Sequence, residues 1–205
     1  MGTFISLDGV DGAGKSTQCG LLADWLRQQG RDVVVCHDPG GTALGTQLRE
    51  ILLHHRGAME LTAEALLFMA SRAQLVAEII RPAIAASKIV LCDRFLLANV
   101  VYQGHAGGLD PTDLWRIGEF CTGGLEPDLT LILDLPPDVS QARRKPKADR
   151  MESRGAEFFA KVRAGFLAEA ARRPERFRIV DASFDVNSVQ ERIRQQVNIV
   201  LGGTL

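Results

Sequence analysis

The sequence has little of several features that would each identify a class of protein. Only four of its 205 residues are cysteines, irregularly spaced and without a C-x-x-C pair, so they are interpreted as reduced packing residues. No apolar run approaches the roughly 18 residues of a membrane span. The N-terminus also shows neither a charged start nor a cleavage signal. We therefore expect a cytoplasmic protein with no membrane partner.

An excess of one charge is also absent. The 24 basic residues balance the 25 acidic ones, giving a formal net charge of −1, which disfavours disordered tails and a generally basic surface for nucleic acid. The basic residues are unequal, however, because 19 are arginines and 5 are lysines. Arginine grips carboxylates and phosphates through two parallel hydrogen bonds, so the positions of the arginines carry information about function.

Short apolar runs alternate with longer helical patterns. The predicted strands cover residues 3–8, 32–37, 88–93, 128–135 and 176–182. The predicted helices cover residues 14–30, 44–55, 61–87, 96–104, 112–122, 139–145, 156–173 and 186–200. Pro82 predicts a kink or a new helix start inside the third helix. Apolar strands separated by helices predict an α/β fold, with a five-stranded parallel sheet covered by helices on both faces, in one domain of residues 1–205.

A complete phosphate-binding motif follows the first predicted strand and opens into a helix. It matches G-x-x-x-x-G-K-[ST] and comprises Gly9, Val10, Asp11, Gly12, Ala13, Gly14, Lys15 and Ser16, with Thr17 next. The glycines turn backbone amides toward phosphate oxygens, the lysine bridges the terminal phosphates, and the serine offers its hydroxyl to Mg²⁺. This context predicts a P-loop nucleotide-binding fold, and the absence of an N-K-x-D sequence argues against a switch GTPase.

Asp93 closes the third predicted strand and is the candidate to complete the magnesium site with Ser16. Ligands of open α/β sheets bind outside the carboxyl ends of the strands, where this carboxylate would lie. It would act largely through metal-bound water, because Mg²⁺ dehydrates reluctantly. The alternative is that Asp93 merely caps the next helix. The neighbouring Arg94 can reach a transferring phosphoryl group.

A basic segment lies after the fourth predicted strand. Its six cations face only Asp149 and Glu152, and they are Arg143, Arg144, Lys145, Lys147, Arg150 and Arg154. Such a run is commonly a solvated helix face. At the rim of a P-loop fold it instead suggests a short lid, at about residues 140–154, that closes arginines over a phosphoryl group.

Several separated segments together resemble the bacterial thymidylate kinases, from the first strand to the last helix. The matching segments are FISLDGVDGAGKSTQ at 4–18, DPGGT at 38–42, LLFMASR at 66–72, LCDRF at 91–95 with YQG at 102–104, GLEPDLTLILD at 124–134, DRME at 149–152 and VDAS at 180–183. The resemblance implies transfer of the γ-phosphoryl group of ATP to dTMP, in dTTP biosynthesis. It also implies a homodimer formed through helices near residues 44–87.

The resemblance further assigns roles to single positions. Asp11 would hold the acceptor near its sugar hydroxyl, Arg49 and Arg94 would hold its phosphate, and Asp38 would belong to the same acceptor site. Phe68 would stack on thymine, Arg72 would donate to the base carbonyl, Asn99 would meet ring N3, and Tyr102 and Gln103 would form the wall beside the deoxyribose. Asp181, Ala182 and Ser183 resemble the adenine-side loop. Because Gly12 stands in the P-loop where an arginine could be, Arg143 and Arg150 of the lid are the candidate catalytic arginines.

Elementary chemistry supports these assignments. The second pKa of a phosphate monoester is about 6, so the attacking oxygen is ionised without a general base. The reaction then needs in-line positioning and cations on both phosphates, namely Lys15 and arginines. Asn99 can rotate its amide to suit either thymine or cytosine, whereas Arg72 is a donor only and would oppose the cytosine amino group. Phe68 alone could equally be helix core, but Arg72 lies four residues later on the same face.

Some positions depart from the family pattern, and other functions stay open. His37, Asp38, Phe95 and Ala98 replace residues that are more usual at those places. The nearest alternative is a kinase of another nucleoside monophosphate or of a deoxynucleoside. A different class is a regulatory or DNA-partition P-loop ATPase, which would turn over ATP without a small acceptor and would use a basic face for DNA.

Overall fold

A computed structural model of the chain describes residues 2–143 and 154–202. It contains one five-stranded sheet in the order β2-β3-β1-β4-β5, and every neighbouring pair is parallel. The strands are β1 (Thr3–Gly9), β2 (Val33–His37), β3 (Ile89–Asp93), β4 (Leu129–Asp134) and β5 (Phe177–Asp181). The five predicted strands and the α/β fold class are thus confirmed.

Helices connect the strands. They are α1 (Lys15–Gln28), α2 (Ala43–His54), α3 (Leu61–Leu75), α4 (Arg81–Ala85), α5 (Leu96–Asn99), α6 (Pro111–Thr122), α7 (Pro137–Arg143), α8 (Ala156–Arg172) and α9 (Val186–Val200). Two π-helical segments, Val76–Ile80 and Val100–His105, continue α3 and α5. Within the described ranges, no helix has both the length and the apolar character to cross a membrane.

The π-helical segments divide two helices that the sequence predicted to be continuous. The predicted helix 61–87 widens just before Pro82, and α4 then starts with this proline in its first turn. Proline lacks an N–H and crowds the carbonyl four residues earlier, so an i→i+5 turn accommodates it. The predicted helix 96–104 widens at Val100, and the wider segment carries Tyr102 and Gln103. Widened turns of this kind often occur at functional sites.

Alternating strand residues bury two apolar clusters, one on each face of the sheet. On one face, Leu7 and Leu131 pack with Leu22 of α1 and Phe166 of α8. On the other face, Phe4 and Val90 pack with side chains of α3, α6 and the first π-helical segment. Because helices cover both faces, the strands are mostly apolar, as is typical of parallel sheets.

The strand register gathers polar residues at one edge of the sheet. Leu7 pairs with Asp93 across β1 and β3, and Asp134 pairs with Asp181 across β4 and β5. The first crossover leads from β1 outward to β2, whereas β4 lies on the opposite side of β1. Such a reversal opens a crevice at the carboxyl ends of the strands, where ligands of these folds bind.

Candidate active site

The loop between β1 and α1 has the geometry of a phosphate cradle. Gly12 and Gly14 have φ angles of 81° and 88°, in the left-handed region that favours glycine. A Cβ at Gly12 would lie 2.7 Å from the carbonyl oxygen of Ser140, so a side chain would also clash with α7. Such left-handed glycines allow a loop to turn its backbone amides toward an anion at the N-terminus of the following helix, here α1.

Lys15 lies folded back into the cradle. Its Nζ donates to the carbonyl oxygen of Val10 at 2.8 Å, and the side chain is buried. Burial lowers the pKa of Lys15 to about 8, although Asp11 and other nearby carboxylates oppose the shift. A phosphate entering the cradle would supply the counter-charge that this buried ammonium group needs.

Ser16 and Asp93 lie together at the mouth of the cradle. The Ser16 hydroxyl donates to Oδ2 of Asp93, joining the start of α1 to the end of β3. Both are the hard oxygen ligands that Mg²⁺ prefers, and both lie beside the phosphate cradle, so these residues fit a nucleotide-bound Mg²⁺. Within residues 2–143 and 154–202, no group of three or more His, Cys, Asp or Glu is placed to hold a metal ion. A bound Mg²⁺ would thus take its remaining ligands from phosphates and water.

Asp8, which the sequence analysis missed, lies beneath the cradle. It is completely buried in β1, close to Lys15, Asp93 and Arg94. Burial raises the pKa of Asp8 to about 7, while Arg94 and Lys15 oppose the shift. The available signal was a carboxylate at the end of an otherwise apolar strand.

Arg94 connects the cradle to the acceptor side of the crevice. Its guanidinium donates to the carbonyl oxygen of Gly9 at 3.0 Å, to Asp11, and to the Tyr102 hydroxyl at 3.3 Å. Tyr102 also donates to Asp11 at 3.1 Å. Arg94 has a φ angle of 67°, a conformation uncommon for a residue with a side chain and often found at functional sites. These contacts fix Asp11 and Arg94 between the two halves of the crevice.

Arg72 and Asp38 form a buried ion pair, which the sequence did not predict. Nε of Arg72 donates to Oδ2 of Asp38 at 2.6 Å, and both side chains are almost entirely buried. Burial raises the pKa of Asp38, and Arg72 opposes the shift. In this state Asp38 orients the guanidinium of Arg72. The expected donation from Arg72 to the base stays a prediction.

A chain of buried hydrogen bonds continues from Arg72. Its Nη1 donates to Asn99 Oδ1 at 3.1 Å, and Asn99 Nδ2 donates to Gln103 Oε1 at 2.8 Å. Gln103 Nε2 in turn donates to Glu64 Oε1 at 2.7 Å. Glu64 also accepts from Nη2 of Arg154, at 3.1 Å to each of its oxygens. The sequence analysis missed Glu64, although it precedes Phe68 and Arg72 on one helical face at intervals of four residues.

Most of the predicted site residues line one cleft of about 880 Å³. The predicted residues that line it are Asp11, Gly12, Gly14, Lys15, Ser16, Thr17, Asp38, Arg49, Phe68, Arg72, Asp93, Arg94, Asn99, Tyr102, Gln103 and Arg143. His37, Phe95 and Ala98, where the sequence departs from the family pattern, line it as well. Phe68 is half-buried and faces this cleft, so it is not simply helix core. Arg49 is held by the carbonyl oxygen of Pro39 at 2.9 Å.

The predicted lid lies mostly outside the described residues, and so does Arg150. Arg143, at the end of α7, donates to the carbonyl oxygens of Ala182 at 3.0 Å and Ser183 at 3.4 Å. In this structure its guanidinium thus holds the expected adenine-side loop, and its contact with a phosphoryl group stays a prediction. Asp181 shapes the same loop by accepting from the Ser183 amide at 2.9 Å and hydroxyl at 2.6 Å.

Comparison with known proteins agrees with this geometry. The sequence profile described as "Thymidylate kinase" matches residues 7–193. The chain belongs to the thymidylate kinase family. It is 48% identical to the thymidylate kinase of Rhodopirellula baltica over 192 residues, which cover 94% of this chain and 78% of that protein. It is 47% identical to the thymidylate kinase of Symbiobacterium thermophilum, over 98% of this chain and 95% of that protein.

The fold of a solved thymidylate kinase also matches. The crystal structure of the Ehrlichia chaffeensis thymidylate kinase superimposes with a TM-score of 0.79 at 29% identity, covering 96% of this chain and 98% of that one. The resemblance inferred from separated sequence segments is therefore confirmed over nearly the whole chain. Thymidylate kinases phosphorylate dTMP to dTDP with ATP.

Proposed function

We propose that this chain transfers the γ-phosphoryl group of ATP to dTMP, giving dTDP and ADP, with Mg²⁺ held at Ser16 and Asp93. The observation that carries the proposal is that the P-loop and the Arg72–Asn99–Gln103 wall line the same cleft, with Arg94 and Asp11 between them. A P-loop alone would suit many reactions. A polar and aromatic pocket facing it suits a nucleotide acceptor.

On the donor side, Lys15 and the amides of the P-loop would bind the β- and γ-phosphates of ATP. The buried ammonium of Lys15 is held close to the Val10 carbonyl oxygen, so little reorganisation is needed when a phosphate arrives. Mg²⁺, when bound, would neutralise charge on the phosphate oxygens. The loop 181–183, held by Arg143, would contact the adenine. Arg150 stays the second candidate for the lid arginine.

On the acceptor side, Arg49 and Arg94 would hold the dTMP phosphate. Asp11 accepts from both Arg94 and Tyr102, so its carboxylate has a fixed position near the proposed sugar site. Phe68 would stack on the base, and Asn99 and Arg72 would face its polar edge. Because a phosphate monoester is largely ionised above a pKa of about 6, the residues need only align it and cancel repulsion between two anions.

We further infer a cytoplasmic homodimer with no nucleic-acid partner. All four cysteines are free, which suits a reducing compartment. Leu44 and Ile51 of α2 and Leu66 of α3 are large apolar side chains that are 45%, 45% and 49% exposed. These helices lie in the region where the family resemblance implies the dimer contact, and association would cover such side chains.

An acceptor panel tests the proposed function directly. ADP release would be measured with ATP and Mg²⁺ in the presence of dTMP, dUMP, dCMP or AMP. We expect dTMP to give the highest kcat/KM and ATP hydrolysis without acceptor to be negligible. A preference for another monophosphate would support the nearest alternative. Turnover that is independent of any acceptor would support the regulatory ATPase.

A further inference from the structure

The buried hydrogen bonds between Arg72 and Glu64 all run in one direction. Arg72 donates to Asn99, Asn99 donates to Gln103, and each amide uses its oxygen toward Arg72 and its nitrogen toward Glu64. We call the Asn99 and Gln103 side chains the amide relay. A guanidinium has only donors and a carboxylate has only acceptors. Both ends of the amide relay therefore require the orientation that it has.

Reversing the amide relay would be costly. If the Gln103 amide turned over, its Oε1 would face the Glu64 carboxylate and its Nε2 would face the Asn99 amino group. Turning Asn99 as well would only move the conflict to Arg72, where two donors would meet. Glu64, Asn99, Gln103 and Arg72 are at most 2% exposed, so water cannot relieve these conflicts. Each buried unpaired group lowers the population of an orientation by about tenfold or more.

Glu64 is itself held in place from the lid side of the cleft. Arg154 donates to both of its carboxylate oxygens, and the Arg154 guanidinium lies 4.6 Å from the centre of the Phe158 ring. Glu64 is 1% exposed and is not part of the cleft lining, whereas Asn99 and Gln103 both line the cleft. The hydrogen bond from Gln103 thus links Glu64, which does not line the cleft, to the two amides that do.

The orientation of the amide relay decides which base it can read. At the edge facing such a pocket, thymine offers an N3–H donor and an O4 acceptor, whereas cytosine offers a bare N3 acceptor and an amino donor. A freely rotating amide would suit either base. An amide whose carbonyl and amino ends are fixed pairs with the donor and acceptor groups of one of these bases and opposes those of the other. The relay thus removes the rotational freedom that would make Asn99 a poor discriminator.

We propose that Glu64 is a specificity-positioning residue, which fixes the amide relay so that the acceptor pocket selects thymine over cytosine. This proposal rests on the proposed dTMP kinase function and adds a residue that does not touch the substrate. Glu64 acts through Gln103 on Asn99, and Arg72 fixes the opposite end.

The substitution Glu64→Gln tests the proposal, because it keeps the shape of the side chain but lets position 64 either donate or accept. We would measure kcat/KM for dTMP, dUMP and dCMP. The dTMP-to-dCMP ratio should fall about tenfold. The ratio of kcat/KM for dTMP to that for dUMP should stay unchanged, since uracil and thymine share the same polar edge. The matched control is Glu60→Gln, an exposed position just before α3, which should behave as wild type.

A purely structural role of Glu64 would lower kcat/KM for all three acceptors by the same factor. The double variant E64Q/Q103E provides a rescue, because a carboxylate at position 103 again accepts from Asn99 Nδ2. Its dTMP-to-dCMP ratio should return toward the wild-type ratio, whatever its absolute rate. E64Q/Q103E also restores a carboxylate to the buried cluster. It therefore tests the role of the amide relay even if E64Q folds poorly.

Two outcomes separate this proposal from the function on which it rests. If the wild-type enzyme phosphorylates dTMP but E64Q leaves the dTMP-to-dCMP ratio within about twofold, Glu64 does not set specificity. An E64Q ratio that falls but is not restored in E64Q/Q103E would overturn the relay as the route. If the wild-type chain makes no ADP with dTMP, the proposed function itself fails.

Discussion

The phosphate-binding side and the base-binding side of the cleft are formed by different kinds of segments of the chain. On the donor side, the phosphate-binding groups come mainly from one continuous segment, residues 9–16, whose backbone is shaped by glycine. On the acceptor side, Asp38, Arg72, Asn99, Gln103 and Glu64 come from three separate parts of the sequence and meet through buried side-chain hydrogen bonds.

This difference has a physical reason. A triphosphate is recognised by charge and by many amides, which a single loop at a helix N-terminus can supply. A base is recognised by a pattern of donors and acceptors, which requires side chains whose orientation is fixed by their own partners. We therefore expect donor-side substitutions to change turnover and acceptor-side substitutions to change the choice and affinity of dTMP.

The largest expected effect is that of Lys15→Ala. Removing the buried ammonium that would meet the transferred phosphoryl group should lower kcat by about 10³-fold, while calorimetry should show nearly unchanged dTMP binding. Lys161→Ala is the matched control, because this lysine lies on the exposed face of α8, where it pairs with Glu157. A comparable loss of dTMP affinity in Lys15→Ala would show that the two sides are not separable.

Arg72→Ala should act on the acceptor side. The KM for dTMP should rise about 10- to 100-fold while the KM for ATP changes little, because the guanidinium is a donor close to the base pocket. The substitution should also reduce the free energy of unfolding by about 3–5 kcal/mol, since Asp38 would stay buried without its partner. Thermal unfolding and steady-state kinetics measure the two effects.

The double variant Arg72→Ala/Asp38→Asn separates stability from recognition. Without the uncompensated carboxylate, it should regain part of the lost stability but none of the dTMP affinity. If the double variant recovered stability and dTMP affinity equally, Arg72 would contribute only to folding and not to dTMP recognition. Equal loss of ATP and dTMP binding in the single variant would contradict its assignment to the acceptor.

The comparison of the two sides also explains what the sequence could predict. The strands, the helices and the P-loop depend on contiguous patterns, so β1 and α1 were foreseeable. The Ser16–Asp93 pair was foreseeable because Asp93 ends a predicted strand, at the edge of the sheet where ligands bind. Arg72 was identified as a donor, but its ion pair with Asp38, 34 positions earlier, depends on how α3 packs against the end of β2. The π-helical turn that carries Gln103 contains Gly104, but a single glycine within a helical pattern does not by itself indicate a widened turn. Predicting the contact of Glu64 would have required knowing which side chain Gln103 faces.

Asp8 lies near Lys15 and Arg94, beneath the cradle, and provides the mildest test of the comparison. Its carboxylate is completely buried, and burial raises its pKa from 3.8 to about 7. Between these values the unfolded chain is ionised at this position while the folded chain keeps the proton. Wild-type stability attributable to Asp8 therefore falls as the pH rises through this window and stays low above it.

Asp8→Asn removes this titration while keeping the shape of the side chain. The melting temperature of the variant should equal that of the wild type near about pH 4 and exceed it by several degrees near about pH 8. Asp32→Asn, at an exposed position before β2, should show no such growing difference. If Asp8→Asn is instead less stable at the higher pH, the attraction of Lys15 and Arg94 for the Asp8 carboxylate outweighs the cost of its burial. The donor side would then depend on a second buried side-chain charge in addition to that of Lys15.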